Sequence, residues 1–306
     1  MNAAQHRISP LTWALLILLG MIWGGSFFFA RVAVEHVPPM TLVLLRVSLA
    51  ALALHLYLRA RHNLYRVLLQ RWRAFLLLGM LNNAIPFTLI FMGQTQIGAG
   101  LASILNATTP LWTVIIANRL THDEKMTVQK IVGCLLGLVG TLVLIGPSAL
   151  TGFGAPVWAQ LAIIGASISY GFAAIYARTL QTMSPVVTAT GQLTASSLIM
   201  LPLVLLIDRP WTLPFPPLDV VLAVLLLAVL STSLAYILYF RIIRSAGATN
   251  GSLVTLLVPP SAILLGVLFL GERMDLDSTL GLLLIAAGLV TIDGRLLAKV
   301  QKNNSF

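Results

Sequence analysis

The chain has 306 residues, of which 58% are hydrophobic and only 9% are charged. A typical soluble domain is about 25% charged, and a soluble globule of this length could not bury so much apolar surface. The formal net charge of +10 could indicate a nucleic-acid partner. However, the basic residues lie between apolar runs rather than along one face, so we expect no such partner. The composition predicts an integral membrane protein.

Apolar segments that can each cross a bilayer recur along the whole chain. A transmembrane helix needs about 20 predominantly apolar residues, and ten segments meet this requirement. In chain order they lie near residues 11–31, 40–58, 74–92, 98–118, 127–146, 156–177, 185–207, 218–240, 248–270 and 275–293. The connectors are short and rich in proline, glycine and charge. We therefore predict an all-α protein with ten transmembrane helices.

Basic residues are unevenly divided between the two sides of these spans. The connectors on the N-terminal side hold fifteen of the nineteen Lys and Arg residues, whereas the opposite side holds only Arg31, Arg209 and Arg273. Because short loops rich in Lys and Arg stay in the cytoplasm, we predict that both termini are cytoplasmic. The connector at 59–73 has apolar residues at helical spacing among its arginines. This pattern predicts either contact with anionic membrane lipids or a solvated basic loop.

The two halves of the chain share a faint internal repeat. A shift of 149 residues aligns 81–125 with 230–274 without a gap and with seven identical positions. These are Leu81/Leu230, Leu89/Leu238, Phe91/Phe240, Gly98/Gly247, Ala99/Ala248, Ser103/Ser252 and Pro110/Pro259. A slip of one residue then pairs Gly133 with Gly281 and Gly140 with Gly288. The alignment indicates a duplication.

Duplication divides the predicted spans into two groups of five, at 1–147 and 148–306. Because five is odd, the second group must enter the membrane from the opposite side, and the repeats must be inverted. Inverted repeats are typical of secondary transporters, whose substrate site lies between the halves near the membrane midplane. We therefore predict two inverted five-helix repeats around a central cavity.

Prolines lie near the middle of matched spans, Pro110 in the first half and Pro259 and Pro260 in the second. Proline removes a backbone donor and frees a carbonyl group, which a bilayer tolerates only where protein or a water-filled cavity receives it. The matched positions indicate the transport pathway. The alternative is a kink that only improves packing.

Several stretches carry a resemblance to a known family. They are WGGSF at 23–27, LR at 45–46, GATNGSLVTLLVPPSAILLGVLFLGERM at 247–274 and GLLLIAAGLV at 281–290. Together they resemble the EamA-like family of the drug/metabolite transporter superfamily, although THDE at 121–124 departs from its usual LGE-like ending. The resemblance implies ten helices, two inverted EamA-type repeats and metabolite export across the bacterial inner membrane. Within the family, the chain is similar to amino-acid exporters, including the YddG type that exports aromatic amino acids.

Arg46 is a cation inside the second predicted span, where a charge is costly. It is therefore a candidate for binding a substrate carboxylate, although backbone carbonyls could also satisfy it. Gln192 occupies roughly the equivalent position in the second half.

The other candidate pathway residues are polar groups beside the prolines and aromatic groups that could form an apolar wall. Interhelical hydrogen bonds and simple packing are the alternative roles. The candidates are Trp23, Phe27, Asn82, Asn83, Pro86, Phe87, Asn106, Thr109, Pro110, Trp112, Tyr170, Tyr176, Tyr236, Tyr239, Thr255, Pro259 and Pro260.

Motifs of enzymes and cofactor sites are absent from the sequence, and all nine acids fall in connectors or at helix ends. We therefore expect neither a cofactor nor a metal, and no carboxylate relay for protons. The sequence predicts a monomeric exporter of neutral or aromatic amino acids and similar small metabolites, working by alternating access. A multidrug or lipid-precursor exporter and an intramembrane enzyme are the alternatives.

Overall fold

The computed structural model describes residues 8–58, 64–145, 156–261 and 276–293, and the regular secondary structure within these ranges is helical. In chain order the α-helices are α1 (Pro10–Val34), α2 (Pro39–Leu58), α3 (Leu64–Gln70), α4 (Trp72–Gly79), α5 (Ile85–Gln94), α6 (Ala99–Asn106), α7 (Thr109–Leu120), α8 (Val128–Ile145), α9 (Val157–Ala177), α10 (Pro185–Ile207), α11 (Leu218–Ala228), α12 (Ala235–Ser252), α13 (254–261) and α14 (Leu276–Asp293). Short 3₁₀ turns follow α9 and α10.

Seven helical stretches within the described residues are long and apolar enough to cross a membrane. Two shorter apolar helices, Val128–Leu144 and Thr279–Ile292, accompany them. The predicted span at 248–270 is described as helix only as far as residue 261. The chain is therefore a multi-pass helical membrane protein, and the count of ten spans stays a prediction.

Two π-helical turns interrupt the helices at positions related by the repeat. They occupy Met80–Ala84, between α4 and α5, and Val229–Leu234, between α11 and α12. Their first residues, Met80 and Val229, are 149 positions apart, which is the shift that aligns the two halves of the sequence. A π-turn leaves backbone groups out of the regular ladder and is frequent at functional sites. The matched turns support the duplication.

Gly133 and Gly140 of α8 pack against α14. A Cβ atom on Gly288 would lie 2.5 Å from the Gly133 carbonyl oxygen, and one on Gly140 would lie 2.9 Å from the Gly281 carbonyl oxygen. Residue numbers rise along one helix as they fall along the other, so the two helices run antiparallel. These helices hold equivalent places in the two predicted repeats, and their opposite directions are what inversion requires.

The contact between α8 and α14 is expected to tolerate no side chain at Gly288. Gly288→Val should lower the free energy of unfolding by about 3 kcal/mol, because overpacking a close contact forces backbone shifts. Thermal unfolding of the purified protein in detergent measures the change. Ala286→Val is the matched control, because Ala286 is exposed on the same helix. Equal stability of the two variants would contradict the close contact.

Glu124 joins the two halves of the chain at one end of the bundle. Its carboxylate is 5% exposed, and its two oxygens accept hydrogen bonds from the backbone N–H groups of Ala248 and Thr249, both at 2.8 Å. The backbone of Gly247 just before them has φ 87°, a non-helical conformation that favours glycine and divides α12 into two helices, the second of which begins at Ala248. Arg178 completes this Glu124 clamp with an Nη1–Oε1 distance of 3.2 Å and a further ion pair to Asp123.

Candidate functional site

A cavity lies between helices of the two halves and encloses about 680 Å³ of empty space, including the space where it opens. The residues that line it, here called the cavity wall, are Trp23, Ser26, Phe27, Ala30, Arg46, Asn82, Phe87, Ile90, Phe91, Gln94, Asn106, Thr109, Tyr170, Tyr236, Tyr239, Ser252, Val254, Thr255 and Val258. The wall is mostly apolar, and its only charged residue is Arg46.

Arg46 projects from α2 into the cavity wall and is only 5% exposed. Its Nε donates a hydrogen bond to Thr232 Oγ1 at 2.7 Å, and Nη2 donates to the carbonyl oxygen of Ser231 at 3.3 Å. The guanidinium lies over the ring of Phe87, with Cζ 3.9 Å from the ring centre. Among the described residues no carboxylate lies within 4 Å of Arg46.

The π-turn at Val229–Leu234 supplies the acceptors that hold Arg46. The hydroxyl of Thr232 accepts from the arginine and donates to the carbonyl oxygen of Leu227, five residues earlier, at 2.6 Å. The carbonyl of Ser231 also accepts from Trp23 Nε1 at 3.1 Å. These acceptors occupy two of the five N–H groups of the guanidinium. The other three N–H groups have no hydrogen-bond acceptor among the described residues.

Aromatic rings form the part of the wall around Arg46. Trp23 packs against Tyr236 edge-on, with ring centres 6.3 Å apart, and against Tyr239 at 5.5 Å. Phe87 and Phe91 stack along one face of α5 at 6.1 Å. Arg46 therefore lies among aromatic faces, which attract cations and also pack well against apolar ligand groups.

The prolines shape the cavity without lining it. Pro86 and Pro110 each lack the N–H group that would bond to the carbonyl four residues earlier, and those earlier residues are the wall residues Asn82 and Asn106. The carbonyl oxygen of Asn82 lies 3.0 Å from the Tyr236 hydroxyl oxygen, and that of Asn106 accepts from Thr109 Oγ1 at 2.6 Å.

The same spacing relates Pro259 to the wall residue Thr255. That these prolines mark the transport pathway stays a prediction. The residues that face the cavity, however, are one helical turn upstream of each proline.

A buried hydrogen-bond network behind the wall holds Asn82 and Tyr236 in place. Asn82 Nδ2 donates to Gln192 Oε1 at 2.9 Å, and the Tyr236 hydroxyl donates to Asn83 Oδ1 at 2.6 Å. Asn83 Nδ2 in turn donates to Ser196 Oγ at 2.8 Å. Gln192 therefore contacts the π-turn of the first half, as Arg46 contacts the π-turn of the second half.

The candidate residues from the sequence separate into two groups. The wall contains Trp23, Phe27, Arg46, Asn82, Phe87, Asn106, Thr109, Tyr170, Tyr236, Tyr239 and Thr255. The others lie outside the wall, and they are Asn83, Pro86, Pro110, Trp112, Tyr176, Gln192, Pro259 and Pro260. Trp112 donates from Nε1 to Thr108 Oγ1 at 3.3 Å, which is a contact within its own helical segment.

Sequence reasoning missed several wall residues, of which Gln94 is the most polar. Gln94 lies two residues past the predicted end of its span, so it was read as part of a connector. Phe91 and Gln94 follow Phe87 at spacings of four and three residues, the spacing of one helical face. This periodicity could have placed all three on the same side of α5.

Apolar helices long enough to cross a membrane enclose a cavity with a buried cation, and they define the class of the protein as a multi-pass membrane protein. The chain belongs to the EamA-like transporter family, whose model matches it twice, over residues 11–146 and 157–292. The double match agrees with the repeat found in the sequence. The family and its members are transporters, which is consistent with a protein that is not an enzyme.

Relatives from bacteria are similar to the chain over nearly its full length. The uncharacterized transporter YoaV of Bacillus subtilis (strain 168) is 23% identical, covering 90% of this chain and 94% of YoaV. The uncharacterized inner membrane transporter YedA of Escherichia coli (strain K12) is 26% identical, covering 94% and 92%. One solved crystal structure superposes with a TM-score of 0.73 at 20% identity, covering 94% of this chain and 99% of that one, which shows the shared fold.

Proposed function

We propose that this transporter exports neutral and aromatic amino acids and similar small zwitterionic metabolites through the cavity between its halves. The observation that carries the proposal is the buried guanidinium of Arg46, which faces the cavity and has no carboxylate within 4 Å among the described residues. A buried cation is costly without a partner. The carboxylate of an amino acid would supply that partner through charge-assisted hydrogen bonds.

An acceptor for the ammonium group lies at the depth of Arg46. Asn106 is 5% exposed, and its Oδ1 has no hydrogen-bond partner among the described residues. Asn106 lies seven residues after the first residue of α6, and Phe87 lies seven residues before the last residue of α5. The connector at 95–98 joins these two helix ends. Because the two helices share this short connector, both residues lie about 10 Å from it, and Arg46 rests on Phe87.

The composition of the wall supports a solute without net positive charge. None of the wall residues is an acid, so a cationic drug would meet Arg46 and no opposing charge. The aromatic rings of Trp23, Phe27 and Phe87 suit an apolar or aromatic side chain. A multidrug or lipid-precursor exporter is therefore the weaker candidate.

Alternating access is part of the proposal, and the two ends of the molecule differ in the way that it requires. The backbone N–H groups after Gly247 are capped by the Glu124 clamp. The matched position, Gly98, also begins a helix, yet no described side chain caps it, and no described neighbouring atom lies within 4 Å of where a Cβ would stand. Rocking of the halves would exchange the clamped and unclamped ends.

The membrane orientation also belongs to the proposal. The basic connectors support a cytoplasmic location of the Glu124 clamp and of both termini. The similarity to the inner membrane transporter YedA supports a location in the bacterial inner membrane. A single chain encloses the cavity, which supports action as a monomer.

Transport by purified protein in liposomes tests the proposal. Vesicles containing the protein should pass labelled phenylalanine, tyrosine and other neutral amino acids without an imposed proton gradient, and the solutes should emerge chemically unchanged. Uptake no better than that of empty vesicles across the panel would defeat the amino-acid assignment. Uptake of lipophilic cations or lipid precursors instead would favour the rival exporter, and chemical conversion would favour an intramembrane enzyme.

A further inference from the structure

Gln94 brings an unpaired acceptor into the cavity wall at the end of α5. Its side chain is fully buried and lines the cavity. Its Nε2 donates to the carbonyl oxygen of Phe27 at 3.1 Å, and because a carbonyl can only accept, the amide orientation is determined. Oε1 then remains without a hydrogen-bond partner among the described residues. A buried carbonyl oxygen in this state is unfavourable unless a ligand or water donates to it.

Oε1 of Gln94 and the guanidinium of Arg46 are separated along the axes of α5 and α1. Arg46 rests on Phe87, and Gln94 follows Phe87 by seven residues of α5, a rise of about 10 Å. On α1, Trp23 shares an acceptor with Arg46, and Phe27, which fixes the amide of Gln94, follows Trp23 by about 6 Å. The rise along α5 and the rise along α1 both give about one to two helical turns between the amide of Gln94 and the guanidinium of Arg46.

That separation is too large for the ammonium and carboxylate of one α-amino acid, because both are attached to the same carbon. It is comparable to the distance between the carboxylate of tyrosine and its own hydroxyl group. The rings of Phe27, Phe87 and Phe91 line the cavity between the two polar groups. An aromatic side chain would fit between them, with its far end at Gln94.

Building on the proposed function, we propose that Gln94 determines specificity by accepting a hydrogen bond from a donor at the far end of the solute side chain. With its carboxylate at Arg46, tyrosine satisfies Oε1 of Gln94 through its hydroxyl group. Phenylalanine leaves the same oxygen unpaired. A site built to bond a hydroxyl group discriminates against the analogue that lacks it, so the cavity favours aromatic amino acids that carry such a donor.

Competition between tyrosine and phenylalanine in proteoliposomes tests this assignment, because the two solutes differ by one hydroxyl group. The wild type should favour tyrosine by about tenfold, the effect of one buried hydrogen bond. Gln94→Met keeps the length of the side chain and removes the acceptor, and it should bring the ratio of tyrosine uptake to phenylalanine uptake close to one. Gln96→Met is the matched control, because Gln96 is exposed two residues away and should leave the ratio unchanged.

A comparison in the wild type alone keeps the proposal testable if Gln94→Met does not fold. O-methyltyrosine retains the ring and the oxygen but cannot donate, and it should be disfavoured to the same degree as phenylalanine. Equal uptake of tyrosine, phenylalanine and O-methyltyrosine would overturn the role of Gln94, as would an unchanged ratio in folded Gln94→Met. In both results the amino-acid assignment stands, whereas a wild type that passes none of the three solutes removes both proposals.

Discussion

Replacement of Arg46 with alanine is expected to abolish transport of neutral amino acids by a protein that still folds. The substitution removes the only charged group of the cavity wall and hence the proposed partner of the substrate carboxylate. A hydrogen bond to a charged group contributes about 1.5–3 kcal/mol, so losing two would reduce uptake by at least about a hundredfold. Initial uptake rates in proteoliposomes measure the loss.

Arg46→Lys and Arg119→Ala make the test specific. Lysine keeps the positive charge but loses the planar pair of donors, so Arg46→Lys should retain a small part of the activity. Arg119→Ala is the matched control, because Arg119 is exposed near the end of α7 and should transport as the wild type does. Full activity of Arg46→Ala would return Arg46 to a purely structural role.

Loss of the Glu124 clamp is expected to weaken the closed end of the molecule. Glu124→Ala leaves the buried N–H groups of Ala248 and Thr249 without their acceptors and removes a partner of Arg178. The expected cost is about 2–4 kcal/mol of stability in the clamped state. The clamped state should therefore be less populated. The rate of transport should change, because the equilibrium between the two conformations has shifted.

Cysteine labelling measures the opening directly. Ser252 lies in the cavity wall just beyond the clamp, so S252C in a Cys134→Ala background should react with a soluble maleimide faster when Glu124→Ala is also present. Gly247→Ala should act in the same direction, because a Cβ there would lie 2.6 Å from Glu124 Oε1. Glu35→Ala, at an exposed acid on the opposite predicted side, is the control. Equal labelling rates in all variants would show that the clamp does not close this end.

The membrane class and the family could be recognised from the sequence because both depend on local properties. Apolar runs of sufficient length predict helices that cross a bilayer, and seven helical stretches among the described residues are long and apolar enough to do so. The resemblance to the EamA-like family was confirmed by the double match of the family model. The inverted orientation, the count of ten spans and the roles of the site residues stay predictions.

The cavity could be predicted only in part. Arg46 was identified because a cation in an apolar span is unusual, and Asn82 and Asn106 were identified because they precede prolines. Asn83 also precedes Pro86, and Gln192 occupies roughly the position equivalent to Arg46 in the second half. Both residues nevertheless lie behind the wall in a hydrogen-bond network. Spacing along a helix distinguishes its faces, but it does not say which face meets the cavity and which meets a neighbouring helix.

By itself the sequence determined that the chain lies in a lipid bilayer, where its helices approximately lie and that its two halves are duplicated. These features could be read from the sequence because hydrophobicity and repetition are properties of the chain. Only the tertiary structure decided that Arg46 lies on Phe87 and that Glu124 caps the helix after Gly247. It also decided that, within the part of the chain that the structure describes, Arg46 has no carboxylate within 4 Å and Gln94 Oε1 has no hydrogen-bond partner. Each of these contacts joins residues from separate helices, and their distances depend on how the helices pack. Packing sums many weak contacts over the whole molecule, so it cannot be read from any single segment.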